Sequence, residues 1–227
     1  MTATIFAVGL MAWTPRPANA ADCNADPNPG VDWSGCRKRN LIIGGVDLSG
    51  ADLSGTDFTS TDLRKSGLDG ADLSKANLLR SMLDASKAAG ANFEKAIGFR
   101  TSFAGTDLTS ARFGKSEMQR ADFTDAALAN VDFEKSELGR AVFTNADING
   151  TNFTHANVAR ADFRLARFDT PIDFTGAYFY LTRIEGVDLS QAIGLAQWQI
   201  DMSCGDTTTM LPPEVQIPTT WPCEDDN

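Results

Sequence analysis

Two series of basic side chains recur at intervals of 20 residues, and they are the part of this sequence best suited to binding chemistry. The first series ends in the one histidine of the chain, and the second consists of arginines alone. The members are Lys75, Lys95, Lys115, Lys135 and His155 in the first series, and Arg80, Arg100, Arg120, Arg140 and Arg160 in the second. Lysine offers a point charge and arginine a fork of N–H donors, so both series suit anionic groups. We name these ten residues the basic ladder.

The acids beside the basic ladder leave two interpretations open. In the first, glutamates neutralise much of the ladder, which is then a solvated surface inherited from duplication of a 20-residue unit. These glutamates are Glu94, Glu117, Glu134 and Glu137. In the second, the ladder is an anion-binding face for a phosphorylated or acidic polymer, or for a negatively charged protein.

Catalytic chemistry has little support in the sequence. There is no Gly-rich phosphate loop, no metal-ligand spacing and no nucleophile with a plausible base, and His155 continues the lysine series. An enzyme needs a concave site that holds an acid, a base or a nucleophile. We therefore predict no catalytic residue, no cofactor and no metal site, and expect a binding protein rather than an enzyme.

An apolar period of five residues predicts the elements that position the ladder. From Ile43 to Phe168, every fifth residue is large and apolar except Ala88 and Gly98, and the residue two places before it is small from Val46 onward. Helices repeat every 3.6 residues or so and strands every two, so neither element explains the pattern. Stacked coils do. Two phenylalanine series also recur at 20 residues, namely Phe93, Phe113, Phe133 and Phe153, and Phe103, Phe123, Phe143 and Phe163.

The repeats resemble those of the pentapeptide-repeat family, as in Ala51-Asp52-Leu53-Ser54-Gly55, Ala71-Asp72-Leu73-Ser74-Lys75 and Ala121-Asp122-Phe123-Thr124-Asp125. The resemblance covers about two-thirds of the chain. It implies an all-β solenoid: a right-handed quadrilateral β-helix with 20 residues per coil, about seven coils, and a short C-terminal α-helical cap. In that fold the basic ladder lies on two adjoining corners and forms a strip about 25 Å long.

The start of the chain predicts export. Residues 1–20 contain an apolar stretch followed by the cleavage pattern Ala18-Asn19-Ala20, which is typical of a signal peptide. No other segment approaches the length of apolar sequence that crosses a bilayer, so no membrane insertion is expected. The expected location is the bacterial periplasm, with the thylakoid lumen or the extracellular space as alternatives.

Four cysteines support export and bracket the two ends of the repeat. Pairing by neighbourhood, Cys23 with Cys36 and Cys204 with Cys223, is the simplest of three connectivities. A zinc site does not fit, because the spacings are 13 and 19 residues and the chain has a single histidine. The predicted organisation is a signal peptide over 1–20, an N-terminal disulfide-bracketed cap over 21–42, a pentapeptide-repeat β-helix over 43–192, and a C-terminal helix and disulfide-bracketed strap over 193–227.

Three local features depart from the repeat. A short amphipathic helix is expected after the last coil, with Leu195, Trp198 and Met202 facing the core. We call the apolar residue of each five-residue repeat its central residue. The central residues Phe168 and Phe174 are six apart instead of five, which predicts a bulge at a corner. The glycine at a central position predicts a distortion at residues 97–99, and the alternative is that an exposed Phe99 beside Leu79 contacts a partner.

The favoured interpretation is a non-catalytic exported scaffold that binds a protein or an anionic envelope polymer, with the basic ladder as its candidate face. No nucleic-acid partner is expected, and the sequence leaves open a monomer and an end-to-end dimer. The alternative is a DNA-mimicking binder or inhibitor of a type II topoisomerase, which some pentapeptide-repeat proteins are. The net charge of −10 favours that alternative, and the predicted signal peptide and disulfides disfavour it. Aspartates before the central residues are expected to bond the backbone of nearby turns.

Overall fold

The chain pairs with itself at a spacing of 20 residues along four parallel ladders, which begin at Asp32, Arg37, Ile42 and Asp47. The computed structural model describes residues 21–223. The predicted signal peptide, residues 1–20, and the last four residues lie outside that range. Each coil forms hydrogen bonds with the coils before and after it. For example, Asp52 N–H donates to Val31 O at 3.0 Å, and Leu53 N–H donates to Asp72 O at 2.7 Å. The ladders confirm the coil length of 20 residues.

Pairing takes place through single-residue bridges separated by turns. In most of the repeat, the residue before each central position forms a bridge and the two residues after it form a turn. Within residues 21–223 the one α-helix is α1 (Gln197–Asp201). None of the described helices is long and apolar enough to cross a membrane.

The core consists of the central residues, which are almost completely buried from Leu48 to Phe163. Phenylalanines one coil apart stack, as in Phe93 and Phe113 with ring centroids 4.5 Å apart and planes at 9°. Phenylalanines on opposite sides meet edge to face, as in Phe93 and Phe103 at 5.7 Å and 88°. This alternation confirms the two predicted phenylalanine walls, and such pairs add to the stabilisation from burial.

The repeat begins earlier than the sequence indicates. The bridge of Asp32 to Asp52 lies inside the segment 21–42 that was predicted to be only a cap, and Trp33 is a buried central residue. The Asp32 ladder has nine members and ends at Ile193, so the structure has about eight coils rather than seven. The apolar period does not reveal the first coil, because the central position after Trp33 is occupied by the charged residue Lys38. The Lys38 ammonium lies 3.7 Å from the Trp33 ring centroid and donates to Cys23 O.

The distortion expected at residues 97–99 is absent, because the bridges from Asn77 to Ile97 and from Ile97 to Glu117 continue the ladder. Met118 fills the space beside Gly98 instead.

The register slip after Phe168 is confirmed, because Asn152 pairs with Asp173, 21 residues away. The Asn149 side-chain oxygen accepts hydrogen bonds from the backbone N–H groups of Asp169 and Thr170, at 2.6 and 2.9 Å. This one amide therefore holds the bulged corner.

Both predicted disulfides are present, Cys23–Cys36 and Cys204–Cys223, with Cα atoms 5.4 and 5.3 Å apart. The predicted buried face is correct for Leu195, which is 6% exposed, and wrong for Trp198. Gln199 and Ile200 are fully buried, whereas Trp198 is 48% exposed. The Gln199 amide donates to Phe174 O at 2.9 Å and to Ala177 O at 3.0 Å, so a polar side chain covers the open edge of the last coil.

Candidate functional site

All ten residues of the basic ladder occupy the same place in the repeat, the second residue after the central one, which we term the corner position. Their φ angles lie between 56° and 60°, in the left-handed region. All ten side chains are exposed. The structure thus brings the predicted residues together as two columns on adjoining corners. Within a column, neighbours are one coil apart, roughly 4.8 Å.

The corner position is an unfavourable place for lysine or arginine. A Cβ in the left-handed region is crowded by the following carbonyl oxygen at a cost of roughly 1 kcal/mol, which glycine avoids and asparagine and aspartate bear more easily. Over the same coils, the other two corners carry no cation. Their corner positions are Ala85, Gly90, Gly105, Ser110, Asp125, Asn130, Asn145 and Gly150. From Lys75 to Arg160, cations at corner positions are therefore confined to one side of the coil, and Lys65, on another corner, comes before that stretch.

A flat face separates the two columns of the ladder. Its outward residues belong to a single bridge ladder that runs from Asn77 through Ile97, Glu117 and Glu137 to Asn157. Two of the four glutamates considered in the sequence analysis therefore lie on the floor between the columns. The other two, Glu94 and Glu134, directly precede lysines of the ladder.

The glutamates neutralise the ladder only in part. Glu94 pairs with Arg112, which is outside the ladder, at 3.6 Å. Glu137 accepts a hydrogen bond from the neutral Asn157 side chain at 2.8 Å. Among the ladder residues other than Arg160, Lys135 is the one that has a carboxylate within 4.0 Å in the described chain, and that carboxylate belongs to Glu134. Nine formal cations against four carboxylates leave a net charge of about +5 on this face.

The electrostatics of the face act on Glu134. The hydrogen bond and charge of Lys135 lower the pKa of the Glu134 carboxyl below its ordinary value, with further contributions from the charges of Lys115 and His155. Lysines from two successive coils therefore act on a single carboxylate. An external anion on this face would experience the same summed field.

Aromatic side chains accompany the arginine column, and they include Phe99, the possible partner contact, and two tyrosines that were not predicted to belong to the site. The guanidinium carbons of Arg100 and Arg120 lie 5.4 and 5.9 Å from the Phe99 ring centroid. The guanidinium carbon of Arg160 lies 5.8 Å from the Tyr180 centroid. Tyr178 and Tyr180 have parallel rings, with centroids 6.3 Å apart and planes at 11°. The tyrosines follow the register slip, so the 20-residue spacing could not place them beside the ladder.

The aspartates that precede the central residues have the expected structural role. Asp47 Oδ1 accepts hydrogen bonds from the backbone N–H of Ser49 at 3.0 Å and from its hydroxyl at 2.7 Å. Asn77 makes the equivalent bond to Leu79 N–H at 3.1 Å. The hydrogen bonds from Ser49 hold the pKa of Asp47 below its ordinary value, and those from Ser34 do the same for Asp32. In the described part of the chain, no group of three or more His, Cys, Asp or Glu residues is arranged to hold a metal ion.

The fold and its charged face define a repeat solenoid, with side chains filling the interior and an exposed strip of cations outside. The chain belongs to the pentapeptide-repeat family. It matches the family model for pentapeptide repeats (8 copies) over residues 44–78 and 82–114, and the model for a pentapeptide repeat region over residues 116–192. These matches confirm the family to which the sequence motifs pointed.

Solved structures of the same family resemble the chain. A pentapeptide repeat protein from the Arabidopsis thaliana thylakoid lumen is 30% identical, with a TM-score of 0.42, over 43% of this chain and 68% of that one. The pentapeptide repeat protein Rfr23 from the cyanobacterium Cyanothece 51142 is 18% identical, with a TM-score of 0.39, over 48% and 85%. QnrB1, a plasmid-mediated fluoroquinolone resistance protein, is 18% identical, with a TM-score of 0.41, over 82% and 86%. No curated protein matches the chain.

Proposed function

We propose that this protein is an exported, non-catalytic scaffold, a right-handed quadrilateral β-helix that binds an anionic polymer or an acidic protein through the basic ladder. One observation carries the proposal. From Lys75 to Arg160, all ten positions on two adjoining corners hold lysine, arginine or histidine with φ of 56–60°, while the positions of the other two corners within that stretch hold no cation.

Folding does not require that distribution. Glycine or asparagine at these corners would lower the conformational cost, which is roughly 1 kcal/mol for each left-handed residue with a Cβ. Cations one coil apart also repel each other. Unfavourable backbone conformations tend to accumulate where function needs a particular side chain, and here that side chain is a cation.

Binding of a polyanion tests the proposal. The chain as a whole carries a net charge of −10, so a polyanion is repelled unless a local face attracts it. We expect fluorescently labelled polyglutamate to bind the folded protein at low ionic strength and to dissociate as salt screens the ladder. Polylysine of equal length is the control for attraction to the acidic parts of the chain. If polyglutamate, polyphosphate and polyuronate all fail to bind, the proposal is wrong.

Export to the periplasm is part of the proposal, and two disulfides at the ends of the solenoid support it, because such bonds persist in oxidising compartments. Intact-mass measurement of the protein purified from its source cells tests this part. We expect a chain that begins at Ala21 and contains no free thiol. A reduced chain that retains residues 1–20 would contradict export.

A DNA-mimicking topoisomerase binder is the second candidate, favoured by the acidic face on which Asp32, Asp52 and Asp72 pair one above the other. A supercoiling assay with a type II topoisomerase separates the two candidates. The proposed scaffold leaves supercoiling unchanged at protein concentrations that saturate polyglutamate binding. Inhibition or protection of the enzyme at lower concentrations would favour DNA mimicry instead.

A further inference from the structure

The arginine side of the basic ladder ends in an aromatic platform. Tyr178 continues the floor between the two columns, because it pairs with Asn157, and Tyr180 lies beside Arg160 at the corner. The two rings are parallel within 11°, and the side chains are 46% and 43% exposed. Two half-exposed parallel rings present apolar area that stacks well against another flat group.

Gly139 leaves a recess in the surface before this platform, along the same corner, and we name this recess the step. The residues just before the corner positions stack in successive coils, shown by Arg120 N–H donating to Gly139 O at 2.9 Å and Arg140 N–H donating to Ala159 O at 2.8 Å. Gly139 is not required by the backbone. Its φ is not in the left-handed region, and a Cβ there would meet only Ala159 O at 3.7 Å and Gln119 Cγ at 3.9 Å, which are ordinary contacts. Glycine in such a place permits close approach of a ligand to the backbone.

We propose that an acidic polysaccharide binds along this step, with its carboxylates on Arg120, Arg140 and Arg160 and a sugar ring stacked on Tyr178 and Tyr180. This inference rests on the proposed function and specifies the chemical class of the polymer. Arginine binds carboxylates through paired N–H donors. The apolar C–H face of a pyranose ring packs on aromatic rings, which accounts for the tyrosines as a polyanion of amino acids would not.

The spacing of the arginines also favours a sugar polymer. Successive arginines are one coil apart, roughly 4.8 Å, which is close to the length of one pyranose unit in an extended chain. Arginines of successive coils can therefore reach carboxylates of neighbouring uronate units through their long side chains. A single-stranded nucleic acid has a longer repeat, and proteins that bind it place aromatic side chains under successive bases. Here the aromatic pair lies at one end of the path, so we favour the polysaccharide.

The test compares four probes on the folded, oxidised protein. They are an oligogalacturonate, its fully methyl-esterified form, polyglutamate and oligothymidylate. We expect the oligogalacturonate to bind, and the ester to bind much more weakly because it has lost its charge but kept its rings. If the ester binds as tightly as the acid, or if oligothymidylate binds more tightly than the acid, the proposal is overturned.

Variants of the platform and the step separate this inference from the proposed function. We expect Tyr178→Ala/Tyr180→Ala to weaken oligogalacturonate binding about tenfold and polyglutamate binding less than about twofold. Tyr178→Phe/Tyr180→Phe is the matched control, and keeps most of the affinity. Gly139→Gln fills the step with the residue that the preceding coil carries at Gln119, so it keeps the fold and weakens oligogalacturonate binding selectively.

The outcomes are distinguishable. If polyglutamate and oligogalacturonate both bind, and neither the tyrosine pair nor Gly139→Gln affects them differently, the polysaccharide inference is wrong and the proposed function stands. If no polyanion binds the native protein, the proposed function fails and this inference fails with it. Thermal unfolding of each variant checks that the coils are intact.

Discussion

The Met118 thioether occupies the space that a side chain at Gly98 would need. A Cβ on Gly98 would lie 2.3 Å from Met118 Sδ, a distance that real Cβ contacts do not reach. Both residues are central and belong to neighbouring coils of one wall. Met118 therefore fills the volume that a side chain at position 98 would occupy, so the core stays closely packed at the glycine.

Replacement of Gly98 tests this shared packing. We expect Gly98→Ala to lower the free energy of unfolding by about 1–3 kcal/mol, because Met118 has to leave its rotamer or the coils have to separate. Chemical denaturation measures the change. Met118→Ala removes the nearest obstacle and leaves Thr101 Oγ1 at 3.0 Å, so the double variant is expected to lose less stability than the sum of the two single changes. Additive losses would show that the two residues do not share the space.

Removal of the Gln199 amide tests the C-terminal cap. We expect Gln199→Ala to lower the free energy of unfolding by roughly 2 kcal/mol or more, because Phe174 O and Ala177 O lose their donor while they remain buried. Asp201→Ala, on the exposed side of α1, is the control and should change stability by less than about 0.5 kcal/mol. Equal effects in denaturant titrations would mean that Gln199 does not hold the edge.

Much of this fold could be predicted from the sequence because the repeat is read directly from residue types. The period of five gives the central residues and the period of 20 gives the walls, so the predicted coil length and phenylalanine columns agree with the structure. Both disulfides also agree, because the cysteines pair with their neighbours at each end of the repeat. Features outside the period could not be predicted. The first coil was not recognised because Lys38 stands at a central position, and Gln199 is buried in α1 because carbonyl groups of the last coil need its amide donors.

The candidate site could be predicted only as a list of cations. The 20-residue spacing placed them in two columns, but the left-handed φ of every corner position is a property of the folded backbone that residue types do not reveal. The aromatic platform was missed because the slip after Phe168 moves Tyr178 and Tyr180 out of phase. In each case the missing information is three-dimensional: backbone conformation, register and the identity of the neighbour in the next coil.

Low pH tests the aspartate turns. Hydrogen bonds from Ser34 and Ser49 lower the pKa of Asp32 and Asp47, so these carboxylates stabilise the folded state above their unfolded pKa of about 3.9. That contribution disappears as the pH falls through the lower folded values. Asp32→Asn/Asp47→Asn keeps the acceptor oxygen without the titration, so the acid-induced loss of stability should be smaller. Urea titrations between about pH 5 and pH 2 measure the loss of stability. If the native protein and the double variant lose the same free energy of unfolding, the assignment is wrong.

Glycine at a ladder position tests the conformational cost. We expect Arg140→Gly to raise the free energy of unfolding by roughly 0.5–1 kcal/mol, because glycine is free of the crowding that a Cβ meets at a φ of 60°. Ala129→Gly, one residue before a corner position and outside the left-handed region, should lower it. A loss of stability in Arg140→Gly as large as that in Ala129→Gly would show that the corner is not strained.

We propose that the position of the cations on two corners, and not their number, enables this protein to bind anionic polymers. The most direct measurement compares the polyglutamate affinity of two triple variants that lose the same charge. One is Arg100→Gly/Arg120→Gly/Arg140→Gly on the ladder, and the other is Lys65→Gly/Lys87→Gln/Arg112→Gln outside it. We expect the first to reduce affinity by about tenfold or more and the second to reduce it by less than about threefold. Equal losses in the two variants would contradict the claim.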